Sequence, residues 1–266
     1  PDILDPEYTH EGMVMSIRVG VIGSAGRMGS EVVRALEAAS DLDFVRGITA
    51  EDSLEQLLDD DGAPLVDVAV DFTLPSVTKA NVLWLIEHGI HAVVGATGWD
   101  EAALADVRAA LDDAPETGVL IAPNFAIGAV LAMSFARTAA RFYESAEVVE
   151  LHHPDKLDAP SGTALHTARA IADGRAQASL GPVPDATERD PHGARGADID
   201  GVHVHAVRLR GLVAHEEILF GNPGEQLTIR HDSFDRVSFM PGVLHGVREV
   251  ASHPGLTVGL ENYLSL

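Results

Sequence analysis

The 266-residue chain sets 18 Lys and Arg against 41 Asp and Glu, a formal charge of −23, with 46% apolar residues and no cysteine. The missing cysteines exclude disulfides, thiol nucleophiles, iron–sulfur clusters and thiolate-held zinc, and the acidity argues against nucleic acid or an anionic membrane surface as a partner. The apolar share is that of a folded globular protein, yet no apolar run reaches the ~20 residues of a membrane span.

Residues 1–14 (PDILDPEYTHEGMV) show no periodicity and precede Met15, so 1–15 read as an upstream or appended tail. They contain no basic stretch followed by an apolar core, and the expected location is the cytoplasm. From Ile17 short β-rich runs alternate with helical patterns. Strands are predicted at 17–23, 42–49, 66–73, 91–97 and 118–124. The intervening helices are MGSEVVRALEAA, SLEQLLDD, SVTKANVLWLIEHG and EAALADVRAALDD, with apolar positions three and four apart and Pro75 in a first turn. Strands alternating with helices predict an α/β fold, a doubly wound parallel sheet.

Near residue 125 the pattern changes, which suggests a domain boundary. A long apolar helix (127–142) is followed by a strand (146–153) and a helix (161–174) that Ser161 can cap and Gly174 can end. Residues 175–200, with scattered Gly, Pro and Asp, read as a long surface excursion. Three β-patterned runs then follow without helices between them (HVHAVRLRG, HEEILFG, QLTIRHDS), as in a mixed or antiparallel sheet. A last helix, SFMPGVLHGVREVA, and the segment LTVGLENYLSL close the chain.

Two clusters carry chemistry. Gly23-Ser24-Ala25-Gly26-Arg27-Met28-Gly29 follows the first strand and opens the first helix. Glycines there let the backbone turn and approach a pyrophosphate, while free N–H groups at the helix start receive the anion. The spacing is one residue off the usual dinucleotide fingerprint, and no carboxylate stands at the end of the second strand, around Thr49, to hold a ribose 2′-hydroxyl. Glu51 and Asp52 lie slightly beyond. With Arg27 and Arg46 nearby and no carboxylate to repel a 2′-phosphate, the expected cofactor is NADPH, NADH or both.

The second cluster, ELHHPDKLDAPSGTA (150–164), gathers His152, His153, Lys156 and the helix start Ser161-Gly162-Thr163. Histidine suits proton transfer near neutral pH, lysine supplies a cation, and the N–H groups of a helix start suit a carboxylate. Lys156 is one of only two lysines, with Lys79. A competing reading as a metal site draws on His152, His203, His205, His215 and His231, but no helical His pair or His-carboxylate signature supports it and no metal is expected.

GSAGRMG, VDFTLP, GATG (95–98), APNF (122–125), ELHHPDKLDAPSGTA, GLVAHEEILFG and SFMPGVL, in this order from about Ser16 to Leu266, resemble the dihydrodipicolinate (4-hydroxy-tetrahydrodipicolinate) reductase family, most closely its actinobacterial branch. The resemblance implies an NAD(P)H-dependent oxidoreductase of lysine and diaminopimelate synthesis acting on a cyclic imine dicarboxylate. It implies a Rossmann-type dinucleotide domain (16–124 with 237–266) and an α+β substrate domain on a mixed sheet (125–236) through which homotetramers form. By the same resemblance, Gly23, Ser24, Ala25, Gly26, Arg27 and Met28 bind cofactor, as do Gly95, Ala96 and Thr97, and Ala122, Pro123, Asn124 and Phe125. His152 matches the proton donor, Lys156 a second acid or carboxylate anchor, His153 a substrate contact, and Gly162 with Thr163 the carboxylate loop. Ala96 departs from a usual threonine. Another NAD(P)-dependent dehydrogenase of amino acids or semialdehydes, or a non-catalytic nucleotide sensor, would share the first half of the chain but would not need the 150–164 segment.

Overall fold

The computed structural model describes residues 16–264, so the proposed tail at 1–15 lies outside the described residues. Six parallel strands form the first sheet in the order β11-β5-β4-β3-β1-β2: β1 (Ile17–Ile22), β2 (Leu42–Ile48), β3 (Val68–Asp71), β4 (His91–Val94), β5 (Gly118–Ile121) and β11 (Gly255–Val258). Successive side chains of a strand point to opposite faces, and both faces here are apolar. Val19, Val21, Val68 and Val70 pack with Val32 and Leu36 of α1 (Gly29–Ala38) and with Val243 and Val247 of α6 (Met240–Glu249). Ala69, Ala92 and Val119 pack on the other side with Val82 and Leu85 of α2 (Thr78–Glu87) and Val107 of α3 (Glu101–Leu111). The result is the expected three-layer, doubly wound arrangement. Strand order reverses between β1 and β3, so the crevice at their carboxyl ends is where such sheets receive ligands.

The second sheet is mixed, in the order β10-β9-β6-β8-β7: β6 (Ser145–His152), β7 (Ala197–Ile199), β8 (Val202–Arg208), β9 (Ala214–Asn222) and β10 (Glu225–Ser233). β6 runs parallel to β8 and antiparallel to β9, which places its carboxyl end, at His152, beside Arg208 and Ala214. One face is covered by α4 (Ile127–Ala139) and α5 (Gly162–Gln177), with Val148, Val204, Ile218 and Phe220 packed against Ala132, Ala136, Ala168 and Ile171. No described helix is long and apolar enough to cross a membrane.

The structure corrects three local expectations. The predicted helix SLEQLLDD is a single 3₁₀ turn, Leu54–Leu57. Asp59 Oδ1 accepts from the N–H groups of Asp61 and Ala63 and turns the chain back, so the helix cannot continue. α2 begins at Thr78, which leaves Pro75 in the preceding turns rather than in the helix. Gly174 does not end α5, which runs on to Gln177. A Cβ there would lie 2.3 Å from the Arg137 carbonyl oxygen of α4, so the glycine permits close helix packing. The closing segment, for which the sequence predicts no element, supplies a strand at residues 255–258 that returns to the first sheet beside β5.

Candidate active site

The glycine-rich turn joins β1 to α1 as predicted. A Cβ on Gly29 would stand 2.1 Å from the Gly23 carbonyl oxygen, so only glycine lets the turn fold this tightly onto the helix start. α1 has no side-chain cap, so apart from the Ser30 N–H, which donates to the Gly26 carbonyl at 2.9 Å, the amides of its first turn suit an anion. Gly23, Ala25 and Gly26 line a cavity of about 520 Å³ with Thr49, Asp52 and Asn81. A glycine turn, an uncapped helix start and a cavity at the switch point fit a dinucleotide pyrophosphate and its adenosine end. Ser24 turns inward, its hydroxyl donating to the Ile48 carbonyl at 3.3 Å, while Arg27 and Arg46 are exposed.

One sequence expectation fails here. The end of the second strand is not without a carboxylate, because Asp52 folds back on Thr49 and accepts from its N–H at 2.8 Å and its hydroxyl at 2.6 Å. Those hydrogen bonds hold the Asp52 carboxyl below its usual range. The nearby turn after β3 is built on the buried Asp71, which accepts from the N–H and hydroxyl of Thr73 and from the side chains of Thr78 and Asn81.

Two further cavities, of about 590 and 480 Å³, share a wall made of Pro123, Asn124, His152, Lys156, Ser161 and Thr163. The larger also touches Met28, His153, Glu216 and Arg236, and the smaller touches Ala96, Thr97, Gly162 and His166. Thus every residue singled out in 150–164 reaches this region. Asn124, from the loop after β5, donates to the Thr163 hydroxyl at 3.1 Å and joins the two sheets across the cleft. Ala122 and Phe125 are 1% and 2% exposed and belong to the core instead, Phe125 tilted against Phe72. Gly95 also abuts the Phe72 ring, where a Cβ would clash.

Ser161 caps α5 through the Ala164 N–H. Lys156 donates to Asp158 at 2.7 Å with its side chain 22% exposed. His152 ends β6, where Pro154 forbids continued pairing. Its Nδ1 lies 2.5 Å from Glu150 Oε2, which leaves Nε2 for a ligand. Burial pushes the Glu150 carboxyl up, but hydrogen bonds from His152 and Arg208 outweigh it and hold the group at about 2. Glu216, opposite Glu150 on β9, has only the Thr167 hydroxyl as a partner among the described residues, and burial drives it up to about 7. Among the histidines of the metal reading, His205 bonds Glu147 at 2.7 Å, whereas His215, which bonds Asp232 at 2.7 Å, and His231 line the larger cavity with His152.

Glu150, Arg208 and Glu216 were not among the residues selected from sequence. Glu150 carried a signal, because a residue two positions before His152 on a strand shares its face. Arg208 and Glu216 come from distant strands.

Family models described as dihydrodipicolinate reductase, N-terminus, and dihydrodipicolinate reductase, C-terminus, match residues 17–125 and 128–264. The 4-hydroxy-tetrahydrodipicolinate reductase of Beutenbergia cavernae is 61% identical over 252 residues, covering 95% of this chain and all of that protein. That of Nocardia farcinica is 59% identical over the same coverage. Among solved structures, dipicolinate-bound dihydrodipicolinate reductase from Paenisporosarcina sp. TG-14 superposes with a TM-score of 0.81 at 36% identity, over 93% of this chain and 99% of that one. A probable dehydrogenase from Thermotoga maritima, at 12% identity and a TM-score of 0.60 over 93% of this chain and 92% of that one, shares the fold.

Proposed function

Because the chain belongs to the dihydrodipicolinate reductase family, we propose that its cleft performs the NAD(P)H-dependent reduction of 4-hydroxy-tetrahydrodipicolinate, by way of dihydrodipicolinate, to tetrahydrodipicolinate. The carrying observation is the shared wall: His152, Lys156 and Thr163 border both cavities, one of which opens on Ala96 and Thr97 at the parallel-sheet edge. A reduced nicotinamide dinucleotide, when bound, supplies the hydride. The turn of Gly23, Ser24, Ala25, Gly26, Arg27 and Met28 would hold its pyrophosphate. Gly95, Ala96, Thr97, Pro123 and Asn124, with the backbone of Ala122 and Phe125, would position its reactive end.

The remaining work falls to the substrate side. Lys156 and the N–H groups of Gly162 and Thr163 hold a carboxylate, with His153 at the rim. His152 donates the proton from Nε2 to the ring carbon that becomes electron-rich once hydride has arrived, and is itself left a neutral imidazole. Asp158 keeps the Lys156 cation in place until a substrate carboxylate competes for it. With the two binding surfaces on different sheets, closure about the Asn124–Thr163 contact accompanies turnover.

We assign residues 16–124 with 237–266 to the dinucleotide unit and 125–236 to the substrate unit, a division supported by the pairing of β11 with β5 and the packing of α6 on α1. The face of the mixed sheet away from α4 and α5 bears half-buried Val149, Leu151, Val207 and Leu219 and suits self-association, and the reading is a cytoplasmic homotetramer.

Substituting His152→Ala tests the chemistry: turnover falls on the order of 10²- to 10⁴-fold with a smaller change in KM, as expected for loss of a general acid. Lys156→Ala weakens substrate binding, turnover or both while sparing cofactor affinity. Unchanged turnover in His152→Ala removes the donor role, and normal kinetics in Lys156→Ala remove the anchor.

A further inference from the structure

We propose that Glu150 is the positioning residue of the proton donor: an enclosed carboxylate beneath the cleft that fixes the tautomer and ring orientation of His152 and ties it to Arg208 and the start of α5. The proposal rests on the reading of His152 as donor. Glu150 is 0% exposed. A carboxylate so enclosed is tolerated only when every lone pair is met. Four donors meet these. Oε2 takes the His152 Nδ1–H at 2.5 Å and Arg208 Nη1 at 2.7 Å, while Oε1 takes Arg208 Nη2 at 2.7 Å and the Ser161 N–H at 3.1 Å.

The arrangement differs from a simple His–carboxylate ion pair in a way that suits a group that must lose and regain a proton. Arg208 neutralises Glu150 in a bidentate pair whether or not His152 is charged. After Nε2 has given up its proton, Nδ1 keeps its own and still donates to Glu150. No buried charge is then left unpaired, and the ring cannot flip or adopt the other tautomer without breaking that bond. Arg208 also donates to the Asp158 carbonyl at 2.7 Å. One carboxylate therefore fastens three parts of the site: the donor, the helix start proposed to hold a carboxylate, and the loop that bears Lys156.

The other ionisable groups bordering the cavities that His152 lines include Lys156 and Asp158 of the loop, His166 of α5, Glu216 and His215 of β9 and His231 of β10. They are the same in the variants below, so differences between variants read the Glu150–Arg208 pair.

The test compares kcat, KM and the pH profile of three variants with the parent. Glu150→Gln keeps the shape but leaves the Arg208 cation uncompensated near the ring, so kcat falls on the order of 10- to 100-fold with little change in KM. The alkaline limb of its profile moves to lower pH. Arg208→Gln leaves the carboxylate uncompensated and moves the same limb to higher pH. Opposite shifts are expected of a charge pair acting on the donor and not of general loosening. If Glu150→Gln does not fold, the Arg208→Gln shift carries the test, together with ¹⁵N-histidine NMR of the parent, in which neutral His152 is expected to be protonated on Nδ1. Profiles that coincide with the parent, shifts in one direction for both variants, or a neutral His152 protonated on Nε2 overturn the proposal. His152→Gln separates the two readings: full turnover there refutes the donor role itself, whereas loss of turnover there with a parent-like Glu150→Gln refutes only the positioning role.

Discussion

Glu150 and Glu216 face each other in the β6–β9 register, both nearly inaccessible, and yet their carboxyl groups shift in opposite directions from the ordinary carboxylate value. Partners explain the divergence. Glu150 has a guanidinium, an imidazole and an amide, whereas Glu216 has one hydroxyl. Glu216 therefore favours the folded state most when protonated. Its contribution is complete below about pH 4.5, the ordinary value, and is lost as pH rises through about 7. That gap corresponds to about 3 kcal/mol. Glu150 acts in the other sense, contributing above pH 4.5 and losing its contribution as pH falls toward about 2. Replacing Glu216 with Gln is expected to stabilise the protein at pH 8 while leaving its stability near pH 4.5 almost unchanged, as read by urea denaturation at both values. An equal effect at the two pH values would show that Glu216 does not titrate in this window. At this scale the site was half legible. His152, Lys156, Gly162 and Thr163 are close in sequence and their chemistry could be read there. Arg208 and Glu216 arrive through the pairing of β6 with β8 and β9, far along the chain, which no local pattern encodes. Asp52 was visible in the sequence, but its return to Thr49 depends on a turn that periodicity does not report.

Elements with two apolar faces or a clear helical stripe were legible, because burial on both sides of a parallel sheet leaves near-continuous runs of Val and Ile. Those set by a single close contact were not. Gly174 is the clearest case, since a glycine fourteen residues into a helical pattern looks like a terminator, while its actual reason is the Arg137 carbonyl of α4. Close packing sets the sign of a substitution here. Alanine at an exposed helix position is favoured over glycine by roughly 1 kcal/mol, but here the added methyl must push α4 and α5 apart, at a cost of about 1–3 kcal/mol. Gly174→Ala is accordingly expected to lower the midpoint of thermal unfolding. A raised midpoint would mean that the helices yield without strain. The 3₁₀ turn at Leu54–Leu57 has a similar lesson: three leucines in five residues suggest a helix, and Asp59 decides otherwise by capturing two amides just beyond.

Across the whole molecule, a charge of −23 surrounds a site proposed to take a dicarboxylate and a pyrophosphate. The conflict is resolved by range. At physiological salt a surface charge is screened beyond about 8 Å, so local donors decide what binds. Those donors are the start of α1, the capped start of α5, and Lys156, one of two lysines in the chain. The topology brings them together: β1 delivers the first at the switch point of one sheet, β6 ends beside the second at the centre of the other, and Asn124 bridges the two. These donors converge on one junction, where the proposed reaction takes place. That reaction is tested most directly by following NADH and NADPH oxidation side by side, with the substrate generated in situ from pyruvate and aspartate semialdehyde. Oxidation of at least one cofactor that requires the generated substrate, and is lost in His152→Ala, is the predicted result. A folded protein that oxidises neither would contradict it.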